Sequence, residues 1–235
     1  MALKEKLSVA TEQPTEIEFF FDPICPYAYQ TSLWIREVRK QLGFSINWRF
    51  FSLEEMNRTS NSKHPWERDI AYGWSQMRVS AWLRRQSMDW CDRHYDVCGK
   101  ALHIEGRRPY DRTVAMQLLS EADLPTNAWD DALADPTTHD DVRRDHDDAV
   151  SIHAGFGVPI IIIPGARAVF GPVVVPVPPA NRALELWEMT LAYSRFPGLF
   201  EIKTPKTNND LQIIGESFKP YLEARQWPTI VNPAP

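Results

Sequence analysis

Residues Glu16 to Trp34 read EIEFFFDPICPYAYQTSLW, and within nineteen residues they pass from strand to turn to cysteine to helix. Ile17 to Phe21 is a dense apolar and aromatic run closed by Asp22-Pro23, the pattern of a buried strand stopped by a turn. Cys25 follows at the N-cap of a helix. Pro26 takes the first helical position, where its missing N–H would be unpaired anyway and its fixed φ already suits the helix. The free amides of Tyr27 and Ala28 then face the sulfur. Unpaired N–H groups and the positive end of the helix dipole favour thiolate over thiol, so Cys25 is expected to have a depressed pKa and to act as a nucleophile.

Outward from this stretch, the helix continues with Trp34, Val38 and Leu42 on one face and Arg36, Arg39 and Lys40 near its end, stopping at Gly43. Phe44, Ile46, Trp48 and Phe50 then alternate with polar residues, which is a second strand. Strand, helix and strand in so short a span make a βαβ unit with parallel strands and a right-handed crossover. Cys25 therefore sits at the carboxyl end of the first strand, where open α/β sheets place their chemistry.

From about residue 61 to 154 the strand pattern gives way to helical spacing and many charges, an inserted all-helical subdomain. Ile70, Trp74, Met77 and Ala81 form one apolar stripe, and Cys91, His94, Tyr95, Cys98 and Leu102 another. Two thiols and an imidazole on one helix face raise a metal site, with His103 as a further ligand, but the stripe reads as core and no metal is expected. A Cys91–Cys98 bridge is excluded on a continuous helix, since seven residues rise about 10.5 Å against a Cα limit of about 7 Å. Asp111 caps a helix carrying Val114, Leu118 and Ala122. His139, Asp140, Asp141, Asp145, His146, Asp147 and Asp148 read mainly as a solvated acidic face.

The sheet resumes at Gly157. Ile160 to Ile163 and Ala166 to Phe170 form a hairpin across Pro164-Gly165. Pro159 at the mouth of an unbroken apolar strand predicts a cis Val158–Pro159 bond close to Cys25. An amphipathic helix with Leu184, Trp187, Leu191 and Tyr193 runs to Pro197-Gly198. Thr204 to Pro235 reads as a polar, proline-bearing tail that drapes over the body or lacks fixed structure.

The 235 residues carry a net charge of −5, 43% hydrophobic and 24% charged residues, which is ordinary for a soluble globular protein and gives no reason to expect nucleic acid or a membrane. The first residues lack a signal-peptide pattern and no run reaches membrane-spanning length. Three scattered cysteines do not form a secreted disulfide framework. The expected compartment is the cytoplasm.

FDPICPYAY around Cys25, FSLEEMN ending at Asn57, Trp74 with Arg78, LHIEG around His103, His146, GVP at Pro159, VFGP at Gly171 and LWEMTLAYSRFPGLFE together resemble the DsbA family of the thioredoxin fold, within it the cytosolic mycothiol-linked oxidoreductases and nitroreductases. The resemblance implies an α/β thioredoxin-like fold discontinuous over residues 14–60 and 155–204, with the helical insertion at 61–154 and the tail at 205–235. It implies Cys25 as the redox nucleophile and a low-molecular-weight thiol of mycothiol or glutathione type as cofactor. Pro26, Tyr27, Ala28, Val158 and Pro159 would line its site, with Asn57, Trp66 and Trp74 facing the same cleft. The family's redox members carry CPxC, and here Ala28 occupies the second cysteine position. A mixed disulfide on Cys25 then needs an outside thiol to resolve it. Three readings follow: a monothiol oxidoreductase acting on a small electrophile or disulfide; an isomerase or transferase resembling hydroxychromene-carboxylate isomerase and kappa-class glutathione transferase; and a non-catalytic binding protein.

Overall fold

The computed structural model describes residues 13–68 and 71–226. Strand β1 (Glu16–Phe21) pairs in parallel with β2 (Ser45–Phe50), in register from Glu16 opposite Ser45 to Phe21 opposite Phe50. Helix α1 (Pro26–Leu42) crosses between them and ends at Gly43, whose φ of 82° is the left-handed conformation glycine adopts most readily. β3 (Ile160–Ile162) pairs antiparallel on the other side of β1, and β4 (Val169–Phe170) antiparallel on β3, so the sheet order is β2-β1-β3-β4. The hairpin is shorter than its apolar run. Ala166 N–H donates to Ile163 O at 3.0 Å to close the turn, and Arg167 N–H is diverted to Ser194 O at 3.1 Å.

Between β2 and β3 the chain forms α2 (Leu53–Met56), α3 (Tyr72–Arg84), α4 (Met88–His103), α5 (Arg112–Glu121), α6 (Ala128–Ala134) and α7 (Thr137–Ser151); after the sheet come α8 (Ala183–Arg195) and α9 (Asn208–Ala224). The central core joins sheet, α1, α3, α4 and α8 through fully buried Phe19, Phe21, Trp34, Trp48, Trp74, Tyr95 and Trp187. Removing each such side chain from water contributes about 1.5–3 kcal/mol. Phe21 and Tyr95 stack with ring centroids 3.8 Å apart, tying strand β1 directly to the insertion.

Two expectations change here. Asp145 and His146 do not belong to a solvated face: both are buried, Asp145 accepting from Arg49 Nε at 2.7 Å and Phe50 N–H at 3.1 Å and pairing with Arg84. The stretch after Thr204 contains a 17-residue helix, α9, opened by reciprocal Thr207 and Asp210 hydrogen bonds. It does drape over the body, against α4. Of the first stripe, Trp74, Met77 and Ala81 are core, and Ile70 lies outside the described residues, as do the first and last residues of the chain. Among the described residues no helix is long and apolar enough to cross a membrane.

Candidate active site

Asp22 and Pro23 turn the chain out of β1: Cys25 N–H returns to Asp22 O at 3.0 Å, and Tyr29 N–H to Cys25 O at 3.1 Å opens α1. Cys25 is the N-cap, with extended backbone (φ −88°, ψ 111°), and its Sγ accepts from Ala28 N–H at 3.4 Å. Its S–H donates to the carbonyl of Val158 at 3.7 Å. The Val158–Pro159 bond is cis, as its position in the sequence predicts. Cys25 is buried in one apolar cluster with Phe20, Ala28, Phe51, Ala149, Val158 and Ile160, against which Tyr27, Leu53, Met56, Ile162 and Ala168 pack.

Enclosure reverses the expected acidity. Cys25 is 7% exposed, and burial pushes its thiol up to about 12, against the downward pull of the Ala28 and Tyr27 amides. The negative charge of Asp22 adds to the rise. Desolvation outweighs the helix terminus, so in this form the group is a thiol hydrogen-bonded to Val158.

Asp22 is itself fully buried. Its carboxylate accepts from Ile24 N–H at 3.1 Å and Leu53 N–H at 2.7 Å, holding the Cys25 turn to the start of α2. Burial pushes it up to about 7, with the neighbouring Glu54 charge acting in the same direction. Glu54 in turn accepts from the N–H groups of Tyr72, Gly73 and Trp74 at 2.9–3.3 Å, capping α3 from another element. A Cβ on Gly73 would stand 2.5 Å from Asp22 Oδ1. The insertion therefore begins against the carboxylate that shapes the cysteine turn. On the far wall, Ser52 N–H donates to His146 Nδ1 at 3.2 Å, which puts the ring proton on Nε2, and Phe51 meets the ring edge-on at 4.9 Å.

Pro26, Tyr27, Ala28, Val158 and Pro159 thus gather at Cys25. Asn57 is exposed at the end of α2, one residue beyond Met56 of the cysteine cluster. Trp66 and Trp74 form a packed aromatic group instead of an open wall. Their rings lie 5.1 Å apart, Trp66 stacks on His64 at 4.3 Å, and Trp74 is 1% exposed with its indole N–H on His139 Nδ1 at 2.8 Å. Trp74 is a core residue, its polar atom already satisfied. Cys91 and Cys98 are buried free thiols in α4, and Cys98 Sγ and Ser80 Oγ flank His94 at 3.4 and 2.8 Å. Among the described residues no group of three histidine, cysteine or acidic side chains is placed to hold a metal. Sequence reasoning passed over Asp22, Glu54 and Ile24; an aspartate directly after FFF was the available signal for a buried carboxylate.

The description "Rv2466c-like: Mycothiol-dependent nitroreductase Rv2466c" matches residues 24–204. An uncharacterized Mycobacterium tuberculosis protein, Rv2286c, is 48% identical over 216 residues, spanning 92% of this chain and 93% of its own. Among solved structures, a 2-hydroxychromene-2-carboxylate isomerase aligns with TM-score 0.55 at 13% identity, covering 74% of this chain and 94% of its own. The cytosolic disulfide reductase DsbM of Pseudomonas aeruginosa with GSH aligns with TM-score 0.55 at 14% identity (75% and 99%), and a probable DsbA oxidoreductase of Streptomyces coelicolor with 0.52 at 18% (80% and 94%). These structures establish a DsbA-like thioredoxin fold.

Proposed function

The chain belongs to the Rv2466c-like family of mycothiol-dependent nitroreductases, and from that membership we propose that it is a cytoplasmic monothiol oxidoreductase working with a low-molecular-weight thiol of mycothiol or glutathione type on a small disulfide or electrophile. One observation carries the reading. Cys25 caps a helix beside the cis-proline loop while its i+3 neighbour is Ala28, and the other two cysteines are buried in α4. No second thiol of the described chain stands where it could resolve an adduct.

The chemistry then runs through an outside thiol. A disulfide RS–SR′ seated against the Val158–Pro159 loop is attacked by Cys25, a thiol at rest that gives its proton to solvent and reacts as the thiolate; the Cys25–SR bond forms, the RS–SR′ bond breaks and R′S⁻ leaves, taking up a proton from solvent. A second small thiolate, R″S⁻, attacks the SR sulfur, forming RS–SR″ and returning Cys25 as thiolate. The N–H of Ala28 holds the sulfur in both states. Tyr27 and Val158 belong to the same apolar cluster as Cys25.

The raised pKa of Cys25 supports a second reading in which a protonated cysteine orients and activates the sulfur of a bound thiol cofactor without forming a bond to it, as in a thiol-dependent isomerase or transferase. Intact-mass analysis separates the two. Protein treated with glutathione disulfide or mycothiol disulfide should gain one adduct on Cys25 that a free thiol removes, and Cys25→Ser should gain none and lose turnover. Full thiol-dependent turnover by Cys25→Ser overturns the redox reading in favour of the second.

A further inference from the structure

Helix α9 lies beyond residues 24–204, where the family match ends, and it rests on the residues that flank the cysteine. Its approach, Glu201 to Thr207, is exposed residue by residue, and in its N-terminal half only Asp210 and Ile214 are even partly buried. Docking is concentrated at the other end. Phe218, Tyr221 and Ala224 are buried in one apolar cluster with Ile24, Leu102 and Tyr110. Ala224 O receives Tyr110 Oη at 2.7 Å and Arg108 Nε at 3.2 Å. Phe218 meets the Tyr27 ring edge-on at 4.9 Å.

Tyr27 belongs to two groups at once. Its ring packs in the cluster around Cys25 and also in the cluster under α9. Ile24, 5% exposed, is covered from the same side. The residues immediately before and after Cys25-Pro26 are therefore both held down by α9, and in this arrangement the sulfur is nearly closed to solvent. Tyr27 adjoins both the cysteine cluster and Phe218, so a displacement of its ring toward α9 has to move Phe218 as well.

We propose that α9 is a strap over the reaction site and that Phe218, acting through Tyr27, sets the size of thiol or electrophile that reaches Cys25. The proposal rests on Cys25 being the reacting group. Phe218 is a specificity-determining residue here, touching the wall of the site and not the reacting atoms. An element held by a few apolar contacts at one end, on an exposed connection, opens locally at far lower cost than the core.

The test is the rate of Cys25 modification at pH 8.5, read by peptide mass, with iodoacetamide as small probe and a poly(ethylene glycol) maleimide as bulky probe. Phe218→Ala, and separately a chain ending at Thr204, should react with the bulky probe about tenfold faster or more than the native chain, which corresponds to about 1.4 kcal/mol of docking lost. Iodoacetamide should change by less than about threefold, since one such factor is a fraction of that energy. Unchanged bulky-probe rates, or equal acceleration of both probes, overturn the strap. Hydrogen exchange of the native chain covers the case in which a variant misfolds. Glutathione on Cys25 should deprotect the α9 amides and a methylthio group should not; equal protection in the two adducts also overturns the strap. Failure of Cys25 to react with iodoacetamide in every form removes the reading of Cys25 as nucleophile, a result distinct from the others.

Discussion

The N–H of Ala28 donates to Cys25 Sγ across 3.4 Å, so the position three residues into the helix, from which a second thiol could attack, contributes only its backbone. An adduct on Cys25 should therefore persist in the absence of added thiol. Restoring a sulfur by Ala28→Cys places it one helical turn away, within reach of the mixed disulfide. The adduct lifetime, followed by intact mass after treatment with glutathione disulfide, should fall on the order of a hundredfold or more, because an intramolecular attack of this kind has a very high effective concentration. An equally long-lived adduct in Ala28→Cys would show that geometry, not the missing thiol, limits resolution.

The pH dependence of Cys25 alkylation follows from its raised pKa. A thiol pushed up to about 12 is neutral at pH 7, so its reactive thiolate fraction grows about tenfold per pH unit well into the alkaline range. Iodoacetamide rates between pH 6.5 and 9.5 should climb throughout and show no plateau near neutrality. Asp22→Asn removes a negative charge that opposes ionisation, so that variant should react faster above about pH 7, where Asp22 is ionised, with the difference closing toward pH 6.5. A plateau beginning below pH 8 would instead mean that the helix N-terminus prevails over burial.

Asp22 should also leave a mark on stability. Its folded pKa, about 7, lies above the value near 4 of a free carboxylate, so between these the folded chain holds the extra proton. Its contribution is fully present below about pH 4 and is lost as pH rises to about 7. Buried His94 and His103, lowered to about 4 by desolvation, act in the opposite sense over the same window, so the whole-protein curve is not diagnostic. The difference is. Asn at position 22 forfeits one acceptor for the Ile24 and Leu53 amides, a constant cost, but removes the titration. Urea midpoints should show Asp22→Asn gaining on the native chain from pH 4 to 7; a constant gap would assign Asp22 an ordinary pKa.

Much of this was legible in local pattern. β1, the Cys25-Pro26 helix start, Gly43 as its stop and the alternation of β2 are each set by residues within a few positions of one another, and all appear as the sequence implies. What was missed depends on groups distant in the chain. The acidity of Cys25 turns on desolvation by Phe51, Ala149 and Val158, which outweighs the adjacent helix amides. Asp145 looked solvated because its partners Arg49 and Arg84 come from β2 and α3. Trp74 was placed in a cleft on the strength of resemblance, whereas His139 in α7 fixes it in the core. Helix α9 was obscured by Pro220 and by a polar first half, although Ile214, Phe218 and Tyr221 keep the i, i+4, i+7 spacing of a docked face.

Two glycines in helix interiors should respond to the same substitution with opposite signs. Glycine in a helix costs about 0.5–1 kcal/mol relative to alanine, so an unobstructed site gains from the change. Gly215 in α9 has nothing within 4 Å of where a Cβ would stand, and Gly215→Ala should stabilise by about that amount. At Gly99 in α4 a Cβ would lie 2.2 Å from Cδ2 of Tyr29. That ring cannot retreat, since it is 1% exposed and stacked on His103 at 5.2 Å, and it stands on α1 four residues after Cys25. Overpacking of this kind costs typically about 1–3 kcal/mol, more than the helix gains. Gly99→Ala should therefore lower the urea midpoint, and adding Tyr29→Leu should recover part of the loss by vacating the ring's space. Equal stabilisation at both positions would mean that α1 and α4 are not in contact at Tyr29.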